Sequence, residues 1–169
     1  MKVFLIGFMG CGKTTVGKKL AKKLSKTFID LDKWIEQEVQ MSVQEIFDRK
    51  GEEAFRALEK KYLRISINKD ESVISTGGGT PCHSENMNFM NAEGITVYLS
   101  MKPEVLLHRL ENSKTERPLL KGKTREETLL YIKNKLKERE DYYNNAHIII
   151  NAFNVDINEL ADRIRQNIQ

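Results

Sequence analysis

The sequence is poor in cysteine, in proline and in long apolar runs. It has two cysteines in 169 residues, Cys11 and Cys82, which are too few for a disulfide framework and lack the C-x-x-C spacing of a zinc site. The longest apolar runs, at 3–6 and 147–150, are far shorter than the roughly 20 residues of a membrane-spanning helix. No extended apolar segment or cleavage site follows the first residues. We therefore expect a cytoplasmic protein with reduced thiols and no membrane partner.

Proline and glycine are also too scarce for a disordered or collagen-like chain. There are 3 prolines and 10 glycines, and 40% of the residues are hydrophobic and 31% charged, which is an ordinary globular composition. The length is close to the roughly 150 residues of one typical domain. No repeat, low-complexity tract or linker divides the chain, so we expect a single domain over 1–169.

The net charge of +4 suits either a nucleic-acid binder or an enzyme with polyanionic substrates. Four lysines cluster in one segment, Lys18, Lys19, Lys22 and Lys23. No aromatic residue lies between them to serve as a stacking platform. We therefore expect a solvated helix face and no nucleic-acid partner, and we take a monomer as the expected state.

Short β-branched or aromatic runs alternate with longer segments of helical periodicity, which is typical of a parallel sheet covered by helices. The predicted strands are 2–6, 27–30, 72–75, 96–100 and 147–150. The predicted helices are 14–24, 32–40, 43–49, 52–67, 84–91, 103–111, 125–143 and 155–168. A polar, basic segment at about 112–124 is long for a loop in a compact domain. Such a segment suits a mobile lid.

The clearest motif is the stretch 7–14, Gly-Phe-Met-Gly-Cys-Gly-Lys-Thr, which matches G-x-x-x-x-G-K-[ST] in full. It follows a predicted strand and opens a predicted helix, as a phosphate-binding loop does. Its glycines let backbone N–H groups face phosphate oxygens, and the helix adds the positive end of its dipole. We expect Lys13 to reach the phosphates and Thr14 to coordinate Mg²⁺. The predicted nucleotide-binding residues here are Gly10, Cys11, Gly12, Lys13, Thr14 and Thr15.

Other classes of phosphate-loop protein fit less well. The segments 48–51 and 68–71 imitate the GTPase motifs D-x-x-G and N-K-x-D. The first lies between predicted helices rather than at a strand end, and the second carries Glu71 where the guanine-binding aspartate belongs. An ATP-driven motor is also disfavoured, because the strand 72–75 runs into glycines rather than an acidic residue. A small-molecule kinase and a regulatory nucleotide-binding module stay open.

An acidic pair, Asp30 and Asp32, ends the second predicted strand. Both side chains could reach the carboxyl edge of the sheet, where ligands bind in open α/β folds. One could organise hydrated Mg²⁺ while the other accepts a proton from an acceptor hydroxyl. Asp32 could instead simply cap the following helix, and the two roles are compatible.

Two further features suit the acceptor side of a kinase. Arg56 and Glu59 share one helical face, so the carboxylate could orient the guanidinium, although an exposed ion pair is the simpler interpretation. The Gly77–Gly79 run follows a strand and would let backbone amides approach a ligand closely. A plain flexible turn would use the same glycines.

Taken in order, these motifs resemble the shikimate kinase family over essentially the whole chain. The resemblance rests on the phosphate loop, Asp30 with Asp32, Phe55-Arg56 with Glu59, Gly77–Gly79, Arg117-Pro118-Leu119-Leu120 in the lid, and Arg139 with Tyr142 and Tyr143. It implies a three-layer P-loop kinase fold with a parallel sheet of about five strands in the order 2-3-1-4-5. It also implies ATP-dependent phosphorylation of the 3-hydroxyl of shikimate, with Mg²⁺, in the pathway to chorismate and aromatic amino acids.

The resemblance further implies a role for each site residue. Shikimate would contact Asp32, Arg56, Gly77, Gly78, Gly79 and Arg139, with a substrate-binding helical region at about 32–67. Thr14 and Asp30 would organise Mg²⁺, and the catalytic residues would be Lys13, Asp32 and Arg117. Arg109 is the nearest candidate to pack on adenine, and Asn154 marks the adenine loop. The nearest alternatives are a gluconate-type or nucleoside monophosphate kinase and a non-catalytic nucleotide-binding module.

Overall fold

The structure, a computed structural model, describes residues 1–69, 71–113 and 120–167. Its sheet has five parallel strands, β1 (Lys2–Ile6), β2 (Thr27–Asp30), β3 (Ser72–Ser75), β4 (Gly94–Ser100) and β5 (Ile148–Asn151). Their spatial order is β2-β3-β1-β4-β5. The predicted parallel sheet and strand order are therefore confirmed.

The described residues form seven α-helices, of which the first six lie between strands and the last follows β5. They are α1 (Lys13–Lys23), α2 (Leu31–Val39), α3 (Val43–Ile65), α4 (Asn86–Glu93), α5 (Pro103–Glu111), α6 (Arg125–Asn144) and α7 (Ile157–Gln166). Most boundaries differ from the predicted ones by one or two residues. None of these helices has both the length and the apolar character needed to cross a bilayer.

Local sequence signals explain several helix ends. Ser42 with Glu45 and Thr124 with Glu127 form complete capping boxes at the starts of α3 and α6, as their spacing predicts. The two helices predicted at 43–49 and 52–67 form one element, α3, with a break at Gly51. Gly51 has φ 83° and ψ 170°, a backbone conformation that is essentially restricted to glycine.

Helices cover both faces of the sheet because β1 is apolar on both sides. Val3 and Leu5 pack into one buried cluster with side chains of α1, α5 and α7. Phe4 and Ile6 pack into the other, with side chains of α2, α3 and α4. All four side chains are fully buried. This is the three-layer arrangement expected when a parallel strand is buried on both faces.

The strand register brings three chain segments to one edge of the sheet. Ser75 of β3 lies opposite Leu5 of β1 and opposite Asp30 of β2. The residues that follow these strands therefore emerge together at the carboxyl edge. In open α/β sheets this edge is where ligands bind.

Candidate active site

The phosphate loop lies between β1 and α1, as predicted. Gly12 has φ 99°, which places it in the left-handed region, and α1 begins at Lys13. The Lys13 ammonium folds back over the loop and donates to the carbonyls of Gly7 and Phe8, at 2.7 and 3.0 Å. Its charge is thus held at the centre of the loop where phosphate oxygens would be bound.

Among the other predicted loop residues, Gly10 is half-buried and Thr15 is exposed. Cys11 is buried, and a Cβ on Gly7 would lie only 2.9 Å from its sulfur and 2.9 Å from the Leu99 carbonyl oxygen. The loop therefore packs tightly against β4. Cys11 acts here as a small buried residue.

Asp30 and Asp32 have different surroundings although they lie two residues apart. Asp30 accepts a hydrogen bond from the Thr14 hydroxyl at 3.2 Å and caps α2 through the Lys33 amide at 3.3 Å. The capping role considered for Asp32 therefore belongs to Asp30. Asp32 lies inside the first turn of α2.

Asp32 is half-buried, and its buried Oδ1 atom has no hydrogen-bond partner among the described residues. The pKa of Asp32 is raised to about 7, mainly by burial and further by the charges of Glu59 and Asp30, while the charge of Lys13 opposes the shift. A buried polar atom that lacks a partner is costly in a folded protein. Such an atom at a ligand-binding edge suits a group that acquires its partner from a substrate.

Arg56 is held by two carboxylates on α3. Its Nη1 atom donates to Glu59 at 2.6 Å, and its Nη2 atom donates to Glu52 at 3.0 Å. Glu59 is fully buried and also accepts a hydrogen bond from the Thr80 hydroxyl. The pair of Arg56 and Glu59 is therefore a buried positioning contact and not an exposed ion pair.

The glycine run after β3 is the point on which the charged side chains converge. A Cβ on Gly77 would lie 3.0 Å from Asp32 Oδ1, and one on Gly78 would lie 3.1 Å from Arg139 Nη1. A Cβ on Gly79 would lie 2.8 Å from Arg56 Nη2. A side chain on one of these glycines would have to displace the groups that it met, which at Gly78 and Gly79 are the ends of arginine side chains. The structure thus brings Asp32, Arg56 and Arg139 together around Gly77–Gly79.

Arg139 also connects this cluster to the phosphate loop. Its guanidinium lies over the ring of Phe8, 5.4 Å from the ring centroid. Phe8 is buried within the loop. The acceptor-side cluster and the nucleotide-side loop are therefore neighbours, as a direct transfer between two substrates requires.

The structure gives less information on the other residues predicted for the nucleotide side. Arg109 of α5 donates to the Cys11 carbonyl at 3.4 Å, which puts its guanidinium beside the phosphate loop. Asn154 lines a groove of about 230 Å³ beyond β5, together with Asn151, Asp156 and Arg163. Within the described residues, neither Arg109 nor the phosphate loop lines that groove. Arg117 and the other residues of 114–119 in the predicted lid lie outside the described residues.

The two GTPase-like segments lie away from this site. Asp48 is an exposed residue of α3. Glu71 precedes β3 and pairs with Lys26 and the amino terminus. It therefore lies at the opposite edge of the sheet from the phosphate loop, where it could not contact a bound base.

Comparison with known proteins agrees with this arrangement. The shikimate kinase family profile matches residues 9–169. A shikimate kinase of Azobacteroides pseudotrichonymphae is 46% identical over 168 residues, which are 99% of this chain and 99% of that protein. The chain belongs to the shikimate kinase family. The family resemblance that the motifs indicate is confirmed.

Two solved shikimate kinases share the fold along the whole chain. The crystal structure of the Bacteroides thetaiotaomicron shikimate kinase has a TM-score of 0.92 at 41% identity, and the match covers 99% of this chain and 98% of that one. The Acinetobacter baumannii shikimate kinase, solved in complex with shikimate, has a TM-score of 0.84 at 36% identity, covering 99% and 92%.

For a shikimate kinase, the oxygen donors beside the loop suit Mg²⁺. Thr14 offers a hydroxyl and Asp30 a carboxylate, 3.2 Å apart. Mg²⁺ prefers oxygen ligands and usually keeps several waters, so that a protein often supplies only one or two of its ligands. Among the described residues no cluster of three or more acidic, cysteine or histidine side chains forms a full metal cage.

Sequence reasoning did not assign roles to three residues of this shikimate kinase site. Phe8 supports Arg139, Thr80 donates to Glu59, and the Tyr143 hydroxyl donates to the Gly78 carbonyl at 2.6 Å. A signal for the last contact was present, because Arg139 and Tyr143 are four residues apart and share one helix face. What that face contacts could not be known from the helix alone.

Proposed function

We propose that this protein transfers the γ-phosphoryl group of ATP to the 3-hydroxyl of shikimate, giving shikimate 3-phosphate and ADP. The observation that carries the proposal is the convergence of Asp32, Arg56 and Arg139 on Gly77–Gly79, directly beside the phosphate loop. Family membership and the bound shikimate of the A. baumannii relative support it. In that setting the product would feed the pathway to chorismate and aromatic amino acids.

The acceptor site has a cationic end and an acidic end, which match the two ends of shikimate. Arg56 and Arg139 would bind the carboxylate of shikimate, because guanidinium groups make strong charge-assisted hydrogen bonds to carboxylates. Gly77–Gly79 would supply a close-fitting backbone wall. Asp32 would accept a hydrogen bond from the 3-hydroxyl and thereby give its Oδ1 atom the partner that it lacks.

Asp32 would also receive the proton of the reacting hydroxyl. A pKa of about 7 suits a group that must be ionised before the reaction and protonated after it. The neighbouring ammonium of Lys13 lowers the pKa of Asp32 and so favours the ionised form. Because the transition state of phosphoryl transfer is loose, positioning of the hydroxyl contributes at least as much as proton removal.

The nucleotide side would neutralise the charge of the transferring group. Lys13 would leave the carbonyls of Gly7 and Phe8 for the phosphate oxygens. Thr14 and Asp30 would hold Mg²⁺, which supplies positive charge next to the phosphates. Arg117 of the lid, at about 112–124, would add a further cation and help to exclude water. Arg109 and Asn154 would lie on the adenine side.

The test is ADP release in a coupled assay with ATP and Mg²⁺. Shikimate, gluconate, nucleoside monophosphates and no acceptor are compared side by side. We expect turnover with shikimate alone. Turnover with gluconate or a nucleoside monophosphate, or nucleotide binding without turnover on any acceptor, would contradict the proposal and favour another kinase or a regulatory module.

We also propose that 1–169 acts as one domain and as a monomer in the cytoplasm, without a nucleic-acid partner. The two buried clusters share a single sheet and support one folding unit. Helices α2 and α3 would form the substrate-binding region at about 32–67. Size-exclusion chromatography with light scattering tests the monomer, since a mass near twice 19.6 kDa would contradict it.

A further inference from the structure

Tyr143 is a buried residue of α6 that contacts the glycine run. Its side chain is fully buried, and its ring packs on Tyr98 with the centroids 4.8 Å apart. Its hydroxyl donates to the carbonyl of Gly78 at 2.6 Å. A buried hydroxyl needs a partner, and this one finds it at the place where the acceptor side chains converge.

Arg139, one turn earlier on α6, acts on the same hydroxyl. Burial raises the pKa of Tyr143 above its usual range, while the charge of Arg139 and a hydrogen bond with it oppose the shift. The phenol therefore stays protonated and donates at neutral pH. Because Arg139 Nη1 lies beside Gly78 as well, the phenol, the guanidinium and the Gly78 peptide form one contact group.

The direction of the Gly78 carbonyl fixes the direction of the next amide. A trans peptide is planar, so the C=O of Gly78 and the N–H of Gly79 point in opposite directions. With its carbonyl bonded to Tyr143, the peptide turns the Gly79 N–H away from α6. Within the described part of the chain, no acceptor takes this N–H. Gly79 itself lies against the guanidinium of Arg56.

We propose that Tyr143 is a positioning residue for the acceptor carboxylate. Its hydroxyl holds the Gly78–Gly79 peptide so that the Gly79 N–H and the guanidinium of Arg139 are presented to the same carboxylate. The inference rests on the proposed function, because it needs the carboxylate of shikimate to bind beside Gly79. It adds a residue that acts through the backbone and does not itself touch the substrate.

The first test is Tyr143→Phe, which keeps the ring and removes the hydroxyl. We expect the KM for shikimate to rise about tenfold, as one lost buried hydrogen bond would allow, with the KM for ATP unchanged. Tyr142→Phe is the matched control, because Tyr142 is the exposed neighbour on the same helix and its substitution should leave both constants unchanged. An unchanged KM for shikimate in Tyr143→Phe would overturn the proposal.

A second measurement separates positioning from general loosening of the fold. The acceptor is replaced by an analogue with a hydroxymethyl group in place of the carboxylate. We expect Tyr143→Phe and the unaltered protein to bind this analogue equally, because the group that Tyr143 serves is absent. If Tyr143→Phe also bound the analogue tenfold more weakly than the unaltered protein does, Tyr143 would have a merely structural role.

A third measurement needs no variant and so holds even if Tyr143→Phe fails to fold. The amide resonance of Gly79 is followed by NMR during titration of the unaltered protein. It should shift downfield with shikimate and stay in place with the hydroxymethyl analogue. No difference between the two ligands would overturn the proposal.

The KM for shikimate of two variants, Arg139→Ala and Tyr143→Phe, distinguishes an error about Tyr143 from an error about the acceptor site. If Arg139→Ala raises the KM for shikimate while Tyr143→Phe does not, the carboxylate site stands and only the role of Tyr143 is wrong. If neither variant changes that KM, the carboxylate does not bind here, and the proposed acceptor site is wrong.

Discussion

At the scale of single residues, the proposed chemistry depends most on Asp32. The two carboxylates that raise its pKa most, Glu59 and Asp30, are each satisfied by other groups. Asp30 bonds with Thr14 and the start of α2, and Glu59 bonds with Arg56 and Thr80. Asp32 is therefore the carboxylate of this group that remains available to an acceptor hydroxyl.

Asp32→Asn should separate transfer from nucleotide binding. The amide keeps the shape of the side chain but cannot accept a proton, so we expect kcat to fall by about 10²- to 10⁴-fold. ATP binding, measured by titration calorimetry, should stay nearly unchanged because Lys13 and the loop are intact. Asp48→Asn, at an exposed position of α3, serves as the control. Equal losses in ATP binding and kcat would contradict the role of Asp32.

The sequence alone could not show which of the two aspartates, Asp30 or Asp32, caps α2. Asp30 and Asp32 both follow β2, and either is a good helix cap by type. The decision depends on the backbone: Asp30 is extended, with φ −98° and ψ 112°, whereas Asp32 is already helical. A difference of two residues in where α2 begins would therefore decide which of the two carboxylates caps the helix.

At the scale of secondary-structure elements, α3 aims the acceptor-side groups. Its break at Gly51 separates the capped first part from the part that carries Glu52, Arg56 and Glu59. The break agrees with the two separate helices, 43–49 and 52–67, that the sequence predicts. The direction in which the second part leaves depends on packing and could not be predicted.

Gly51→Ala should disturb α3 through its backbone alone. A Cβ on Gly51 would meet no atom within 4 Å, so no steric clash contributes. The conformation of Gly51 excludes other residues at a cost of about 1–3 kcal/mol. We expect the free energy of unfolding in urea to fall by about that amount and the KM for shikimate to rise more than that for ATP.

The neighbouring Lys50→Ala is the control for this substitution. Lys50 is exposed, and changes at such positions usually stay within about 0.5 kcal/mol. If Gly51→Ala were as stable as Lys50→Ala and kept the KM for shikimate, α3 would tolerate a continuous helix. The break would then have no part in aiming Arg56.

At the scale of the whole molecule, the order of the strands could be predicted from the sequence. The contacts between helices and distant loops could not. The motifs after β1, β2 and β3 indicate one ligand-binding edge, and the parallel register places them there. The contact of Tyr143 with Gly78 joins residues 65 positions apart. It depends on how α6 lies over the sheet, and no local pattern fixes that. Periodicity shows which face of a helix is buried but not its partner.

The raised pKa of Asp32 should make the free energy of unfolding of the whole protein depend on pH. Its pKa is raised from 3.8 to about 7 in the folded protein, so the folded state binds an extra proton between these values. The contribution of Asp32 to the free energy of unfolding is therefore most favourable below about pH 4 and is lost as the pH rises to about 7. At 1.36 kcal/mol per pKa unit, the loss is on the order of 4 kcal/mol at most.

Urea unfolding of the unaltered protein and of Asp32→Asn, from pH 4 to pH 9, measures this loss of stability directly. The difference in unfolding free energy should move in favour of Asp32→Asn as the pH rises to about 7 and then stay constant, because Asn cannot ionise. Groups that do not interact with the charge of Asp32 titrate equally in both proteins and cancel. A difference independent of pH would mean that Asp32 ionises in the folded protein as it does in water. In that case Asp32 would lack the raised pKa on which its proposed role as proton acceptor rests.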